Sequence, residues 1–221
     1  MNGADRMIRH YVNRLPLIAI LRGITPEETG PVARALATAG FAIIEVPLNS
    51  PRPLDSIRLL CVQLGDTCLV GGGTVTAATQ VDEIRRAGGR LIVMPHSDIV
   101  TVRAAKAAGL ACVPGVATPT EGFAAVENGA DALKLFPAEE LRPPVIRAWR
   151  AVFPPETLFI PVGGITPENL ASYWDAGADA FGLGSALYKP GMQVEDVSSR
   201  ARAFVDAWHA AAKASPGRRT T

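Results

Sequence analysis

Short apolar runs and longer segments with helical periodicity alternate along the chain. In the helical segment at residues 27–39, for example, Val32, Leu36 and Ala39 fall on one face. The apolar runs have the length of buried strands. They are Leu17–Leu21, Phe41–Val46, Thr67–Val70, Leu91–Met94, Leu110–Val113, Ala132–Phe136, Leu158–Val162 and Ala180–Leu183. Eight such runs separated by helices predict a repeated strand–helix unit and therefore a parallel sheet.

Turn residues mark the ends of the predicted helices. Glycine is favoured after a helix because it adopts the left-handed conformation without steric cost. The glycines at such positions are Gly40, Gly65, Gly88, Gly109, Gly129 and Gly177. Two helix starts place a capping threonine before a proline, at Thr25-Pro26 and at Thr166-Pro167. These boundaries predict an α/β fold in which residues 1–214 form a single-domain (β/α)8 TIM barrel.

Two further segments lie outside the eight repeated units. Residues 4–13 predict an extra N-terminal helix across the bottom of the barrel, and residues 215–221 predict a disordered tail. The main alternative to the barrel is a doubly wound open sheet. Gly71-Gly72-Gly73-Thr74 follows a strand but does not match the G-x-G-x-x-G fingerprint of such nucleotide-binding sheets.

Composition narrows the classes of partner. The 221 residues include 22 basic and 21 acidic side chains, and no basic stripe with interleaved aromatic residues is present. We therefore expect neither nucleic acid nor a membrane as a partner. The N-terminal residues lack a signal-peptide pattern, so we expect a cytoplasmic protein. Cys61, Cys68 and Cys112 do not have metal-ligand spacing, so we expect them to be buried free thiols.

Lys134 is the one charged residue in the sixth apolar run, Ala132–Phe136. Both faces of a strand in a closed parallel sheet are covered, so its ammonium group must pair, lose its proton or point out of the open end. Burial lowers the pKa of a lysine from ~10.4, and a neutral amine can attack a carbonyl to form a Schiff base. The structural alternative is a lysine that extends from the strand end into water.

Three more reactive side chains end predicted strands. Arg22 follows the first strand, Glu45 ends the second and Thr74 follows the third. Barrel enzymes carry their chemistry at the C-terminal ends of the strands, so we expect these side chains to surround Lys134. Each has a structural alternative: Glu45 or Arg22 as part of a neutralising ion pair, and Thr74 as a capping or turn residue.

The last two strands end in glycine turns. Gly163-Gly164 follows the seventh strand, and Gly184-Ser185 follows the eighth and leads into a predicted short helix. Backbone N–H groups in such turns and at a helix N-terminus bind anions, and barrels commonly bind phosphate at this position. Alternatively, these glycines serve only the tight turns. An amine at one side of the open end of the barrel and a phosphate site at the other suggest a phosphorylated keto acid as the ligand.

The motifs at these strand ends resemble one known family, the class I 2-keto-3-deoxy-6-phosphogluconate (KDPG) and 6-phosphogalactonate aldolases. The resemblance extends along almost the whole chain. The matching motifs are Ile18-Ala19-Ile20-Leu21-Arg22-Gly23, Ile44-Glu45-Val46-Pro47-Leu48-Asn49-Ser50-Pro51, Gly72-Gly73-Thr74-Val75, Leu133-Lys134-Leu135-Phe136-Pro137 and Val162-Gly163-Gly164-Ile165.

The resemblance implies a role for each of these positions. It implies that Lys134 forms the Schiff base, that Glu45 is the general acid/base, and that Arg22 and Thr74 bind the pyruvate carboxylate. It further implies that Gly163, Gly164, Gly184 and Ser185 hold the phosphate, that the chain forms a homotrimer, and that the reaction uses no metal. We expect no other cofactor. We also expect the site to be lined by Pro95, Phe136 and Val162.

The chain departs from the gluconate-type pattern in two segments. Gluconate-type members of the family have Glu-Val-Thr-Leu-Arg-Thr after the second strand and Thr-Gly-Gly after the seventh, whereas this chain has Pro47-Leu48-Asn49-Ser50 and Val162-Gly163-Gly164. These two segments of the chain are similar to the galactonate-type pattern, so we expect the galactonate-derived epimer as substrate. The alternative is a gluconate-type or dual-specificity enzyme. His96 follows the fourth strand, where it either lines the site or caps the next helix.

Two other classes of function remain open on the residues alone. A phosphosugar isomerase or epimerase would use acid/base pairs or a metal and would not need Lys134. A non-catalytic barrel that senses sugar phosphates would bind the ligand without turnover. Trapping of a covalent pyruvate adduct excludes the first class, and turnover excludes the second.

Overall fold

The computed structural model describes residues 3–215, with side chains from residue 7 onward. Within these residues the helices are α1 Gly3–Val12, α2 Pro26–Thr38, α3 Pro53–Leu64, α4 Thr79–Arg86, α5 Ile99–Ala107, α6 Pro119–Glu127, α7 Pro143–Arg150, α8 Leu170–Ala176 and α9 Val194–Ala214. The strands are β1 Leu17–Ile20, β2 Ile43–Pro47, β3 Leu69–Gly73, β4 Leu91–Val93, β5 Ala111–Val113, β6 Gly115–Val116, β7 Leu133–Leu135, β8 Phe159–Pro161 and β9 Phe181–Leu183.

All strand pairs are parallel, and the fold is a mixed α/β fold with a curled sheet. One sheet has the order β5-β4-β3-β2-β1-β9, and the other has the order β6-β7-β8. A parallel bridge between Val162 and Gly182 connects the segment after β8 to β9. Each predicted apolar run overlaps an observed strand, and the residues of these strands are buried, as in a parallel sheet covered on both faces.

Three features of the elements differ from the prediction. Strand β6 was not predicted, because the fifth apolar run ends at Val113 and Pro114, which has no N–H for the ladder, separates β5 from β6. The third strand continues past Val70 to Gly73. Helix α8 begins at Leu170, later than the Thr166-Pro167 pair predicted, because residues 166–169 form a turn in which the Asn169 side chain accepts a hydrogen bond from the Thr166 N–H.

The hydrophobic core has two parts. The larger part lies between the strands and the surrounding helices. The smaller part joins alternate strand residues such as Ile18, Ile43 and Leu69 to Ile8 and Tyr11 of α1. The predicted N-terminal helix is thus confirmed, and it packs against residues at the amino-terminal ends of the strands, including Leu91 and Ala111. This leaves the opposite, carboxyl-terminal ends of the strands for a site.

The amino-terminal ends of the strands are fastened by two similar ion pairs. Lys106 pairs with Asp131, whose carboxylate also accepts the Cys112 N–H of β5. Arg150 pairs with Asp179, whose carboxylate also accepts the Phe159 N–H of β8. Each aspartate therefore ties a helix to a strand at the end of the fold remote from Lys134.

Other expectations concern features spread over the chain. The three cysteines are free, with Cys68 and Cys112 buried and Cys61 half-buried. In residues 3–215, no group of three or more His, Cys, Asp or Glu side chains is arranged to hold a metal ion. No helix in the same range is long and apolar enough to cross a membrane. Cytoplasmic location stays a prediction. Of the predicted tail, residues 216–221 lie outside the described residues, and Ser215 donates a hydrogen bond to Asp175.

Candidate active site

A cavity of about 450 Å³ opens at the carboxyl-terminal ends of the strands. Eight predicted site residues line it, namely Arg22, Lys134, Phe136, Val162, Gly163, Gly164, Gly184 and Ser185. Because side chains at this end of parallel strands converge, residues far apart in sequence meet in one space. The structure therefore brings the amine and the two glycine turns together in one cavity, as their positions in the sequence predicted.

Lys134 is the central residue of β7 and has only 5% of its surface exposed. Its backbone N–H donates to the Pro114 carbonyl, so the position of the residue is fixed by the sheet. The Nζ atom lies 4.6 Å from the centroid of the Phe136 ring. Burial lowers the pKa of the Lys134 ammonium group, the Glu45 carboxylate opposes this shift, and the Arg22 charge adds to it. The arrangement favours a neutral, nucleophilic amine.

Glu45 occupies β2 and is 1% exposed. Burial raises the pKa of its carboxyl group from 4.5 to about 7, although the charges of Lys134 and Arg22 act in the opposite direction. Its Oε2 atom is buried and has no hydrogen-bond partner among the described residues. A carboxyl group with a pKa close to neutrality can both accept and donate a proton at physiological pH, as a general acid/base must.

Gly73 at the end of β3 provides the space for the Glu45 carboxylate. A Cβ atom at residue 73 would lie 1.7 Å from Oε2 of Glu45, which is far inside contact distance. From the sequence alone, this glycine is only part of a strand-end motif. Its role in the site is steric, because any larger side chain would displace the carboxylate.

Arg22 and Thr74 meet beside the cavity. The Arg22 Nη1 atom donates to Oδ1 of Asn49 at 2.7 Å, and Nη2 donates to Oγ1 of Thr74 at 3.4 Å. Thr74 has a φ of 54°, in the left-handed region that β-branched residues rarely adopt. Such local strain persists where the surrounding structure fixes it and is frequent at functional sites. The geometry places a guanidinium and a hydroxyl side by side.

The glycine end of the cavity is built from backbone turns. Gly163 and Gly164 have φ values of 108° and 63°, which other residues adopt only with strain. The Asn169 side chain donates to the Gly164 carbonyl at 2.8 Å and so holds this turn. In the second turn, the N–H groups of Leu187 and Tyr188 donate to the Gly184 carbonyl. The predicted helix after Ser185 was wrong, because residues 185–187 form a turn.

Three charged residues at the glycine end were not predicted. Lys189 and Arg200 line the cavity, and Arg200 Nη1 donates to the carbonyls of Ser185 and Ala186 at 3.3 Å. Glu139 lies against the first turn, since a Cβ atom on Gly163 would be 2.3 Å from its Oε2. Arg200 belongs to α9, where its polar position fits an ordinary solvent-facing residue. Lys189 had a usable signal, because it lies in the segment that follows the last strand.

Two residues near the end of β4 do not join this group. Pro95 lies outside the set of residues that line the cavity. His96 does not cap the next helix, because the Asp98 carboxylate accepts from the N–H groups of Val100 and Thr101 at the start of α5. The backbone carbonyl of His96 accepts from the Gly115 N–H, which connects β4 to β6. Neither residue lines the cavity, and the segment after β4 serves to connect that strand to β6.

A parallel α/β fold with a buried lysine and carboxyl group at the strand ends defines a class of lysine-dependent enzyme sites. A family model described as "Aldolase: KDPG and KHG aldolase" matches residues 8–214. The chain is 46% identical to the 2-dehydro-3-deoxy-6-phosphogalactonate aldolase of Escherichia coli K12 over 201 residues, which cover 91% of this chain and 98% of that protein. A probable 2-dehydro-3-deoxy-6-phosphogalactonate aldolase of Rhizobium meliloti 1021 is 47% identical over 195 residues, covering 88% and 92%. The chain belongs to the KDPG and KHG aldolase family.

Solved structures agree with this assignment. A structure of native KDPGal has a TM-score of 0.89 and 46% identity, covering 90% of this chain and 97% of that one. A KDPG aldolase from Legionella pneumophila, with pyruvate captured at low pH as a covalent carbinolamine intermediate, has a TM-score of 0.78 and 26% identity, covering 92% and 97%. The resemblance inferred from the strand-end motifs is therefore confirmed at the level of family and fold.

Proposed function

We propose that this protein is a Schiff-base aldolase that cleaves 2-dehydro-3-deoxy-6-phospho-D-galactonate to pyruvate and D-glyceraldehyde 3-phosphate. The observation that carries the proposal is the buried Lys134, whose pKa is lowered by burial, in the same cavity as two glycine turns. Two similar proteins are named as aldolases of this substrate. The site combines an amine that can react with a ketone and two glycine turns that can bind an anion.

Lys134 supplies the electron sink of the reaction. Its neutral amine attacks the C2 ketone to give a carbinolamine, and loss of water leaves a protonated imine. This proposal is supported by the related Legionella pneumophila enzyme, which holds pyruvate as a covalent carbinolamine. The iminium withdraws electrons from the C3–C4 bond, so the carbon skeleton can break without a metal ion.

Glu45 moves the protons in this mechanism. Its carboxylate removes the proton of the C4 hydroxyl, directly or through a water molecule, and the C3–C4 bond breaks to release D-glyceraldehyde 3-phosphate. The bond electrons pass into the iminium and give an enamine. Glu45, now protonated, returns the proton to C3, and hydrolysis of the imine releases pyruvate and restores Lys134. A pKa of about 7 suits both proton transfers.

The two ends of the substrate bind at opposite ends of the cavity. Arg22 and Thr74 bind the pyruvate carboxylate, since a guanidinium fork matches a carboxylate in geometry and charge. Gly163, Gly164, Gly184 and Ser185 bind the phosphate through backbone N–H groups and a hydroxyl. Lys189 and Arg200 provide positive charge at that end. Phe136 and Val162 form apolar wall between them.

The choice of epimer rests on Val162 and on the named relatives. Val162 is 8% exposed and lines the cavity, and its side chain has no group that can hydrogen-bond a hydroxyl of the substrate. A threonine at this position, as in the gluconate-type pattern, would offer one. A gluconate-type or dual-specificity aldolase is the alternative, and it uses the same Lys134 and Glu45.

The larger architecture is part of the same proposal. We place residues 1–214 in one domain whose strands close into a (β/α)8 barrel, with β5 and β6 as two halves of the fifth strand. The closure is supported by the β9–β1 pairing and by the Val162–Gly182 bridge between the ends of the two sheets. A homotrimer is supported by the family resemblance. Light scattering coupled to size-exclusion chromatography measures the mass of the assembly directly.

Borohydride reduction in the presence of pyruvate tests the proposed chemistry. The peptide that contains Lys134 should gain the mass of a reduced pyruvyl imine, and no other peptide should. Labelling at a different lysine, or no labelling, would refute the mechanism. A coupled pyruvate assay on the two C4-epimeric phosphorylated keto acids, measured side by side, tests the substrate. A strong preference for the gluconate epimer would contradict the proposed specificity and leave the aldolase chemistry in place.

A further inference from the structure

We propose that Asn49 and Ser50 position Arg22 for the substrate carboxylate and that Asn49 thereby sets the affinity for the keto acid. This inference rests on the proposed aldolase function. Asn49 accepts a hydrogen bond from the Arg22 side chain at 2.7 Å, and Ser50 accepts one from the Gly23 N–H at 2.9 Å. Asn49 thus holds the Arg22 side chain, and Ser50 holds the backbone of the next residue, Gly23.

Arg22 needs such support because surrounding protein does not confine its side chain. Its side chain is exposed, and the residue that follows it, Gly23, has a φ of 81° in the left-handed region. A long arginine side chain loses rotamer entropy when it is fixed. The contact to Thr74, at 3.4 Å, is near the limit for a hydrogen bond. The contact to Asn49 is the short one.

The serine gives the loop a rigid base. Ser50 is 8% exposed, and its own N–H donates to the Pro47 carbonyl at 2.9 Å. Pro47 is the last residue of β2, the strand that carries Glu45. The Arg22 loop is therefore fixed to the same strand as Glu45, so that the carboxylate-binding group and the proton-transfer group keep a constant separation.

An uncharged acceptor suits this position. The Asn49 amide oxygen orients the guanidinium and leaves its positive charge available to the substrate carboxylate. Nη1 and Nη2 each have a second N–H, so the two contacts to Asn49 and Thr74 leave donors for the ligand. An aspartate at residue 49 would also accept the hydrogen bond, but its charge would offset that of Arg22. The Arg22 charge lowers the pKa of Lys134, so the same substitution would weaken that effect.

The experiment measures exchange of the pyruvate methyl protons with deuterated solvent as a function of pyruvate concentration. Asn49→Leu removes the acceptor at similar size and should raise the pyruvate concentration for half-maximal exchange about 3- to 10-fold, with the maximal rate within about twofold of the native value. Asn49→Ala, which adds no bulk, should behave alike. Asn49→Asp should shift the pH profile of exchange to higher pH. Ser50→Thr keeps the hydroxyl and should restore the affinity that Ser50→Ala loses.

Asn128 provides a matched control. It follows the last residue of α6 and accepts a hydrogen bond from Nε of Arg103 in α5 at the same 2.7 Å, and neither residue lines the cavity. Asn128→Leu should leave exchange unchanged. Native affinity in both Asn49→Leu and Asn49→Ala, or an equal effect of Asn128→Leu, would overturn the positioning role. If the native protein forms no pyruvate adduct after borohydride, the proposed function fails together with this inference. An adduct in the native protein with unchanged affinity in the Asn49 variants removes the inference alone.

Discussion

The two ends of the candidate active site handle charge in opposite ways. At the lysine end, Lys134 and Glu45 are 5% and 1% exposed, and both are held by strands whose backbone is paired. At the glycine end, the binding groups are backbone turns, Ser185 and Lys189 are exposed, and Arg200 is half-buried. Burial changes the chemistry of a titratable group, because it penalises the charged form. Exposed cations and backbone donors bind an anion through charge and hydrogen bonds.

This contrast assigns a different task to each end. The lysine end changes the reactivity of the ketone, and its groups act on atoms whose bonds break. The glycine end binds a phosphate that does not react, so its contribution is binding energy and orientation. Substitutions at the lysine end should therefore lower the maximal rate, whereas substitutions at the glycine end should weaken binding of phosphorylated substrate and leave pyruvate chemistry intact.

The largest expected effect is at Lys134. Lys134→Arg keeps the positive charge and should reduce turnover to the detection limit, because a guanidinium does not lose its proton near neutral pH. Borohydride should no longer attach pyruvate to the protein. Measurable turnover by Lys134→Arg, with a melting temperature close to that of the native protein, would refute the division between the two ends.

Glu45→Gln should lower turnover by roughly 10²- to 10⁴-fold while pyruvate still binds. Exchange of the pyruvate methyl protons isolates this step, because it requires the enamine but no carbon–carbon cleavage. In the native enzyme kcat/KM should fall below about pH 7, since Glu45 must lose its proton to act as a base. A rate that stays near the native value in Glu45→Gln would reduce Glu45 to a structural residue.

The same substitution should stabilise the fold at high pH. The pKa of Glu45 is raised from 4.5 to about 7 by burial, so the folded state holds a proton that the unfolded state has lost. The contribution of the neutral group to stability is present below pH 4.5 and is lost as the pH rises through about 7, a total of about 3 kcal/mol. Glutamine does not ionise. The melting temperature of Glu45→Gln, relative to the native protein, should therefore increase between pH 5 and pH 8.

At the glycine end, Arg200→Gln should lower kcat/KM for the phosphorylated substrate about 10-fold, the size of a lost charge-assisted hydrogen bond. Pyruvate methyl exchange should be unchanged, because pyruvate has no phosphate. Arg202→Gln is the control, since Arg202 lies on the same helix and donates to Ser198 away from the cavity. If Arg200→Gln also slows pyruvate exchange, the two ends are not independent.

The smallest expected effect is at Val162, between the two ends. Val162→Thr should shift the ratio of rates toward the gluconate-derived epimer by several-fold, since one polar contact contributes on the order of 0.5 to 1.5 kcal/mol. Val93→Thr places the same change at another buried strand end, outside the cavity wall, and should leave the ratio alone. An unchanged ratio in Val162→Thr would separate substrate specificity from this residue.

Local patterns predicted most of the scaffold but few of the contacts across it. The eight apolar runs located the strands, and Thr25 caps α2 as expected because a capping box depends on residues three positions apart. Strand β6 was missed because it is only two residues long and directly follows Pro114, so it forms no apolar run of its own. Arg22 was found through its place at a strand end, and Lys134 was found as the one charged residue in an apolar run. The Asn49 and Arg200 contacts join residues 27 and 15 positions apart, and no periodicity encodes such pairs.

Gly73 shows how a position that contributes no side chain can restrict the evolution of the site. A Cβ atom there would lie 1.7 Å from the Glu45 carboxylate, so even alanine is incompatible with the present position of that group. New specificities must therefore arise by exchange of wall residues such as Val162 or Phe136, while residues 45 and 73 change only together. A library that randomises Gly73 alone should be depleted of active clones, whereas one at Val162 should retain them.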